Sequence, residues 1–275
     1  ADALMIRTRT VGDEKLLAGS QVKFIGTATI GYDHIDTDYL ARNGIAWTNC
    51  PGCNATSVAQ YIRSVLLLLK REKGLSLPDS TIGIVGVGHV GKEVKKVAEE
   101  LGMRVLLNDP PRTAQGEKGF VGLHELMEQC DVITFHTPLT TDGQYPTSHL
   151  GDESFFGQLA RKPYLINSSR GEVVDNRALL AALENQQIRQ AIIDTWAGEP
   201  HLLLPLLEKV YIGTPYSRLF SRRKGQCHQH GCQSILSAFQ SAAGGACFSS
   251  GLACRFFTFS RRGRVGFAAL QSPSR

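Results

Sequence analysis

Six consecutive residues, Gly86-Val87-Gly88-His89-Val90-Gly91, have the composition and spacing to cradle a pyrophosphate. The three glycines have separate tasks: the first permits a tight turn, the second lets backbone N–H groups approach the anion, and the third lets a helix pack closely behind it. The context fits. Thr81-Ile82-Gly83-Ile84-Val85 reads as a short buried strand before the turn, and Lys92 to Leu101 places Val94, Val97, Ala98 and Leu101 at helical spacing after it. A second strand, Arg104-Val105-Leu106-Leu107-Asn108, ends at Asp109, 18 residues after Gly91. A carboxylate there accepts both ribose hydroxyls of NAD and repels the 2′-phosphate of NADP. Gly86, Gly88, His89, Val90, Gly91 and Asp109 are therefore cofactor candidates, with NAD as the cofactor. Arg112 is a counterweight, because a guanidinium near the strand end could meet a 2′-phosphate.

A second constellation runs Asn167-Ser168-Ser169-Arg170-Gly171, then Asp194, then Gly198-Glu199-Pro200, and closes at Gly213-Thr214-Pro215-Tyr216. Oxidising a 2-hydroxy acid needs a cation to orient the carboxylate, a base for the hydroxyl proton and an acceptor for the hydride. Arg170 suits the first task through its planar fork of donors. The second usually falls to a histidine whose imidazolium is stabilised by a carboxylate, and Glu199 could be that carboxylate. Read singly, Arg170 is an ordinary surface arginine and Glu199 an ordinary loop acid. Their order along the chain is what raises them to candidates.

That order resembles the D-isomer-specific 2-hydroxyacid dehydrogenases, in which a histidine follows Gly-Thr-Pro; here Tyr216 stands in its place. Further stretches narrow the likeness: Gly26 to Thr29 with Asp33 to Asp36, Pro51 to Ala55, Asp109 to Arg112, and Thr134 to Leu139. They point to a branch of the family that oxidises 4-phosphoerythronate at C2 with NAD, as a homodimer, in pyridoxal phosphate biosynthesis. The resemblance covers residues 1 to 215. It implies that Thr8 and Thr29 contact a small phosphorylated 2-hydroxy acid, that Asp109, Thr137 and Asp194 contact NAD, and that Arg170 and Glu199 serve the chemistry. Set against that resemblance, the family's first βα unit is absent before Ala1, so part of the substrate domain is expected to be missing from this sequence.

These elements must be positioned by an α/β fold. Strands at Asp131 to Phe135, Tyr164 to Ile166 and Ala191 to Asp194 alternate with helices at Leu123 to Cys130 and Arg177 to Asn185, which predicts a doubly wound parallel sheet, a Rossmann-type NAD domain. The expected organisation is residues 1–54 as an incomplete flavodoxin-like substrate domain, 55–216 as the NAD-binding domain, and 217–275 as a poorly ordered tail. At 275 residues the chain can hold two hydrophobic cores. No transmembrane run and no basic, apolar leader is evident, so the expectation is a cytoplasmic protein with no membrane partner.

The formal net charge of +5 would invite nucleic acid if it were spread along the whole chain, and it is not. Residues 217–275 carry nine Arg or Lys and no Asp or Glu, leaving 21 basic against 25 acidic residues before them. Four of the seven cysteines fall in the same stretch. A codon argument accounts for the change. Back-translating Tyr216 to Gly225 as TAT AGC CGG CTA TTC TCT CGA AGG AAA GGC, with CA placed in front, reads His-Ile-Ala-Gly-Tyr-Ser-Leu-Glu-Gly-Lys, the continuation that the family resemblance implies. The reading frame is therefore expected to shift at Pro215.

Other features look chemical and are read as bland. Cys227-His228-Gln229-His230-Gly231-Cys232 crowds its ligands too tightly for an ordinary zinc site, and no metal is expected. The runs Arg222 to Lys224 and Arg261 to Arg264 are read as out-of-frame codons, with no nucleic-acid partner expected. Cys50-Pro51-Gly52-Cys53 has redox spacing, but the family context makes it a crossing between domains. His34, His136 and His149 are alternative bases read as local structure. Two other functional readings stay open: an NAD-binding remnant without turnover, and a sibling 2-hydroxyacid dehydrogenase.

Overall fold

The computed structural model describes residues 1–7, 9–198, 201–211, 256–259 and 265–268. Contacts divide them into two compact units. One holds Ala1–Cys53 with the two C-terminal strands, and the other begins at Asn54. Thr8, Glu199, Tyr216, the Cys227 to Cys232 cluster and the basic runs lie outside the described residues, as does the tail apart from its two strands.

In the first unit, β1 (Ala3–Ile6), β2 (Phe24–Thr27) and β3 (Ala46–Thr48) form a parallel sheet in that order, with α1 (Glu14–Leu17) and α2 (Thr37–Arg42) on the crossovers. Both helices begin at an aspartate. Asp13 accepts from the Leu16 N–H at 3.1 Å and Asp36 from the Tyr39 N–H at 2.8 Å, each satisfying an orphan amide of the first turn. Ile6, Leu17, Ile25, Ile35 and Leu40 make the core.

The second unit runs α3 (Ala55–Lys73), β4 (Thr81–Val85), α4 (His89–Glu100), β5 (Arg104–Asn108), α5 (Pro110–Ala114), α6 (Leu123–Gln129), β6 (Val132–Phe135), α7 (Glu153–Gly157), β7 (Tyr164–Asn167), α8 (Asn176–Glu184), β8 (Gln190–Ile193) and α9 (Leu204–Lys209). Its five strands are all parallel in the order β5-β4-β6-β7-β8. The chain leaves β4 for β5 on one side and then returns to β6 on the other. The carboxyl ends of β4 and β6 thus flank a topological switch point, the place where such sheets open a crevice for ligands. The remaining strands, β9 (Phe256–Phe259) and β10 (Val265–Ala268), form an antiparallel pair with Val265 opposite Phe259.

Alternation along the buried strands builds two cores. Ile82, Ile84, Val132, Ile166 and Ile192 face α3 and α4, whereas Val85, Ile133, Phe135, Leu165 and Ile193 face the side of α6, α7 and α8. Burial on both faces explains why these strands read as continuous apolar runs. Gly83 is required by the packing of α6: a Cβ there would lie 2.5 Å from Leu126 Cδ2 and 2.8 Å from Cys130 Sγ. The long helix α3 buries Val58, Ile62, Val65, Leu66 and Leu69 at three- and four-residue spacing. Each such aliphatic side chain contributes roughly 1.5–3 kcal/mol relative to exposure. Gly74, at φ 70°, ends the helix in the left-handed conformation.

Candidate functional site

The glycine turn lies at the switch point, and each glycine there has a measurable reason. Gly86 adopts φ 88°, and a Cβ on it would sit 2.8 Å from the His136 backbone carbon and oxygen and 2.9 Å from Thr137 Cγ2. A Cβ on Gly91 would fall 2.1 Å from the Gly86 carbonyl oxygen, so α4 can approach the turn only through a glycine. Gly88 is different. It caps α4, and nothing lies within 4 Å of where its Cβ would be. That open space lies before the exposed His89 and the half-buried Val90, at the positive end of a 12-residue helix.

Asp109 follows β5 and caps α5, whose first residue is Pro110. One carboxylate oxygen accepts from the Val87 N–H at 2.8 Å and the other from the Arg112 N–H at 3.3 Å. The first bond ties the acid to the glycine turn itself. A carboxylate has about four acceptor positions, so two remain for other donors. Arg112 is committed elsewhere. Its guanidinium makes a forked pair with Glu117, donates to the Val87 carbonyl at 2.6 Å and lies 5.3 Å from the Phe120 ring centroid. The cation that could have met a 2′-phosphate is held by an acid that the sequence reading did not consider.

On the other side of the switch point, Thr137 Oγ1 is buried without a hydrogen-bond partner. An orphaned hydroxyl beside the glycine turn suits a bound polar ligand, since buried polar groups are rarely left unpaired. Together with the space beside Gly88 and the acceptor capacity of Asp109, it makes the residues present fit a dinucleotide.

His136 comes just before Thr137, with its imidazole set between two hydroxyls, Thr134 Oγ1 at 3.0 Å and Ser168 Oγ at 3.4 Å. Burial pushes its pKa down to about 3, so the ring is neutral at physiological pH. An unfolded histidine titrates near ~6.5. Because the folded value is depressed, the stability tied to the neutral ring is present above pH ~6.5 and is lost as pH falls toward the folded value. Urea unfolding should show a loss of about 2 kcal/mol between pH 7 and pH 5 from this group. A His136→Asn variant, which carries no titratable ring, should flatten that slope; an unchanged slope would locate the proton uptake elsewhere.

Ser168 leads into the Arg170 turn, which Asn167 organises. The Asn167 amide donates to the Arg170 carbonyl at 2.9 Å and accepts from Ser169 Oγ at 2.9 Å and from the Ser169 N–H at 3.2 Å. Arg170 is half-buried in extended backbone, and its Nη1 donates to the Ser169 carbonyl at 3.0 Å. Asp194 follows β8. It is only 4% exposed, and its N–H donates to the Asn167 carbonyl at 2.9 Å. The sheet thus brings the Arg170 turn and Asp194 to one edge. Asn167, Ser168 and Gly171, which the sequence shows only as the run around Arg170, and His136, read there as local structure, belong to this arrangement through the pairing of β6 with β7.

In the first unit, Thr29 lies just beyond β2. Its hydroxyl donates to the Gly31 carbonyl at 2.8 Å and lies 2.7 Å from Thr27 Oγ1, which also meets His34 Nε2 at 2.9 Å. Those contacts make His34 part of a local hydroxyl network.

A strand, a glycine turn and a helix, followed by a second strand ending in a carboxylate at the switch point of a parallel sheet, define a dinucleotide-binding domain of the Rossmann type. The profile described as "D-isomer specific 2-hydroxyacid dehydrogenase, NAD binding domain" matches residues 58–215, and the chain belongs to that family. The chain is 56% identical over 217 residues to erythronate-4-phosphate dehydrogenase of Bacteroides thetaiotaomicron, covering 78% of this chain and 62% of that protein. It is 50% identical to the Escherichia coli protein of the same name, over 78% of this chain and 57% of the relative. The chain therefore spans less than two thirds of the length of these curated relatives. Among solved structures, NAD+-bound 3-phosphoglycerate dehydrogenase of Entamoeba histolytica matches with a TM-score of 0.71 at 26% identity, over 88% of this chain and 78% of that one. Among the described residues, no helix is long and apolar enough to cross a membrane.

Proposed function

We propose that this chain carries the cofactor half of an NAD-dependent dehydrogenase acting at C2 of a small phosphorylated 2-hydroxy acid, 4-phosphoerythronate. The observation that carries the cofactor reading is the Asp109 carboxylate, fixed to the glycine turn through the Val87 N–H at 2.8 Å. The substrate reading rests on the 56% identity to an erythronate-4-phosphate dehydrogenase. Residues 55–216 are assigned to NAD, and 1–54 to part of the substrate domain, with substrate contact assigned to Thr8 and Thr29. A homodimeric, cytoplasmic enzyme is the corresponding assembly.

Bound NAD would supply the hydride acceptor. The Gly88 to Val90 amides would receive the pyrophosphate, Asp109 the adenosine ribose, and Thr137 and Asp194 the nicotinamide half. Arg170 would hold the substrate carboxylate with its forked donors and polarise the C2 oxygen. Glu199 would support an imidazolium, but Tyr216 occupies the place of the histidine that would form one. That substitution favours a second reading, a chain that binds NAD and turns over poorly.

Calorimetric titration of the full chain with NAD+ and NADP+ tests the cofactor assignment. NAD+ should bind more tightly. Asp109→Ala should narrow the preference about tenfold, and adding Glu117→Gln, which releases Arg112, should narrow it further. Tighter binding of NADP+ by the unaltered chain would overturn the assignment.

A further inference from the structure

Tyr61 lies on the second turn of α3, is 2% exposed, and its hydroxyl is buried with no hydrogen-bond partner. Its ring packs in the core cluster that includes Ile166 and Ile192 on the α3 face of the sheet. Asp194 comes two residues after Ile192, so by strand alternation its side chain is directed to that same face. Burial, and after it the negative charge of Asp194, hold the phenol's pKa above its ordinary range.

An unsatisfied buried hydroxyl is costly, and phenylalanine would fill the same volume without that cost. A tyrosine at such a position makes sense if its hydroxyl is satisfied in a second state of the site. The topology says which state. With the glycine turn on β4 and Asp109 on β5, the adenosine half of a dinucleotide occupies one side of the switch point. The nicotinamide half must then lie over the ends of β6, β7 and β8, where Asp194 stands. A carboxamide needs an acceptor for its N–H groups, and a carboxylate serves only if it is held in one orientation.

We propose that Tyr61 is a positioning residue of the cofactor site: in the dinucleotide-bound state its hydroxyl donates to the Asp194 carboxylate and holds it as the acceptor for the nicotinamide carboxamide. The inference rests on the dinucleotide reading above and adds a residue that no motif in the chain marks. Tyr61 acts through Asp194 and does not itself reach the reacting atoms.

The test is a double-mutant cycle on the full chain, read by calorimetry with NAD+ and with ADP-ribose, which shares everything except the nicotinamide. Tyr61→Phe should weaken NAD+ about tenfold, as expected for loss of a hydrogen bond to a charged group, and leave ADP-ribose unchanged. In an Asp194→Asn background the same substitution should change NAD+ affinity less than about twofold. Ligand-free Tyr61→Phe should melt at or above the temperature of the unaltered chain, because the hydroxyl it removes is unsatisfied in that state. Unchanged NAD+ affinity, equal weakening of ADP-ribose, an effect undiminished by Asp194→Asn, or a lowered ligand-free melting temperature would each overturn the assignment of Tyr61 while leaving the dinucleotide reading intact. Failure of the unaltered chain to bind either ligand would overturn that reading and this inference with it.

Discussion

The chain as it stands should form NADH from 4-phosphoerythronate at least about 10²–10⁴-fold more slowly than a counterpart in which the frame after Pro215 is restored and the chain is extended to the length of its relatives. A phenol titrates near ~10 and an imidazole near ~6.5, so at neutral pH tyrosine is a poor proton acceptor where histidine is poised for transfer. The loss of a general base by itself accounts for the stated range. The change at Tyr216 is not confined to one side chain, because the continuation implied by the shifted codons differs at every position that follows through Gly225 except Ser221. Tyr216→His should therefore recover only part of the rate. The family profile ends at Pro215, where the codon argument places the break. Absorbance assays of the three polypeptides at matched concentration would separate the contributions. Turnover by the unaltered chain equal to that of the restored one would show that the histidine is dispensable or replaced, and the roles given to Arg170 and Glu199 would have to be reassigned.

What could be read from the sequence is what is encoded locally. The strand before the glycine turn, the turn and Asp109 occupy adjacent stretches of chain, and parallel strands buried on both faces read as apolar runs, so β4 and β5 fall at the residues expected. Helix α4 begins at His89 and not at Lys92, because the third glycine already lies in the first helical turn and only its contact with Gly86 reveals why a glycine belongs there. Helix α5 has no apolar period to announce it after the strand that ends at Asp109; it is set by Asp109 as its cap and by Pro110 in its first position. The neutralised Arg112 was not foreseeable either, since Glu117 reaches it across the end of a short helix and not along a regular face. The link from His136 to Ser168 depends on β6 lying beside β7, a pairing that one sequence does not display. Glu199 and Thr8, both read from the resemblance, fall outside the described residues.

Gly171→Ala should destabilise the second unit by about 3 kcal/mol, near the upper end for overpacking, although the residue's backbone is not in the left-handed region. A Cβ there would lie 2.0 Å from the Trp196 carbonyl carbon, 2.1 Å from the Ala197 nitrogen and 2.3 Å from the Trp196 oxygen. All three are backbone atoms, so no rotamer change can relieve the overlap; the segments after β7 and β8 must separate. Arg170 immediately precedes Gly171, and Asp194 is two residues before Trp196, so separation displaces both edges of the candidate site at once. A domain of this size loses about 2–4 °C of melting temperature per kcal/mol, which puts the expected drop at roughly 6–12 °C. Gly88→Ala is the contrasting case. Its Cβ would meet nothing within 4 Å, so stability should change by no more than about 0.5 kcal/mol. Yet the methyl group would stand where the backbone is proposed to approach the pyrophosphate, and NAD+ affinity should fall. Thermal melts and NAD+ titrations of both variants therefore make opposite demands. Gly171→Ala melting with the unaltered chain would mean that the two loops are not in backbone contact, and an NAD+ affinity unaffected by Gly88→Ala would remove the glycine turn from the cofactor site.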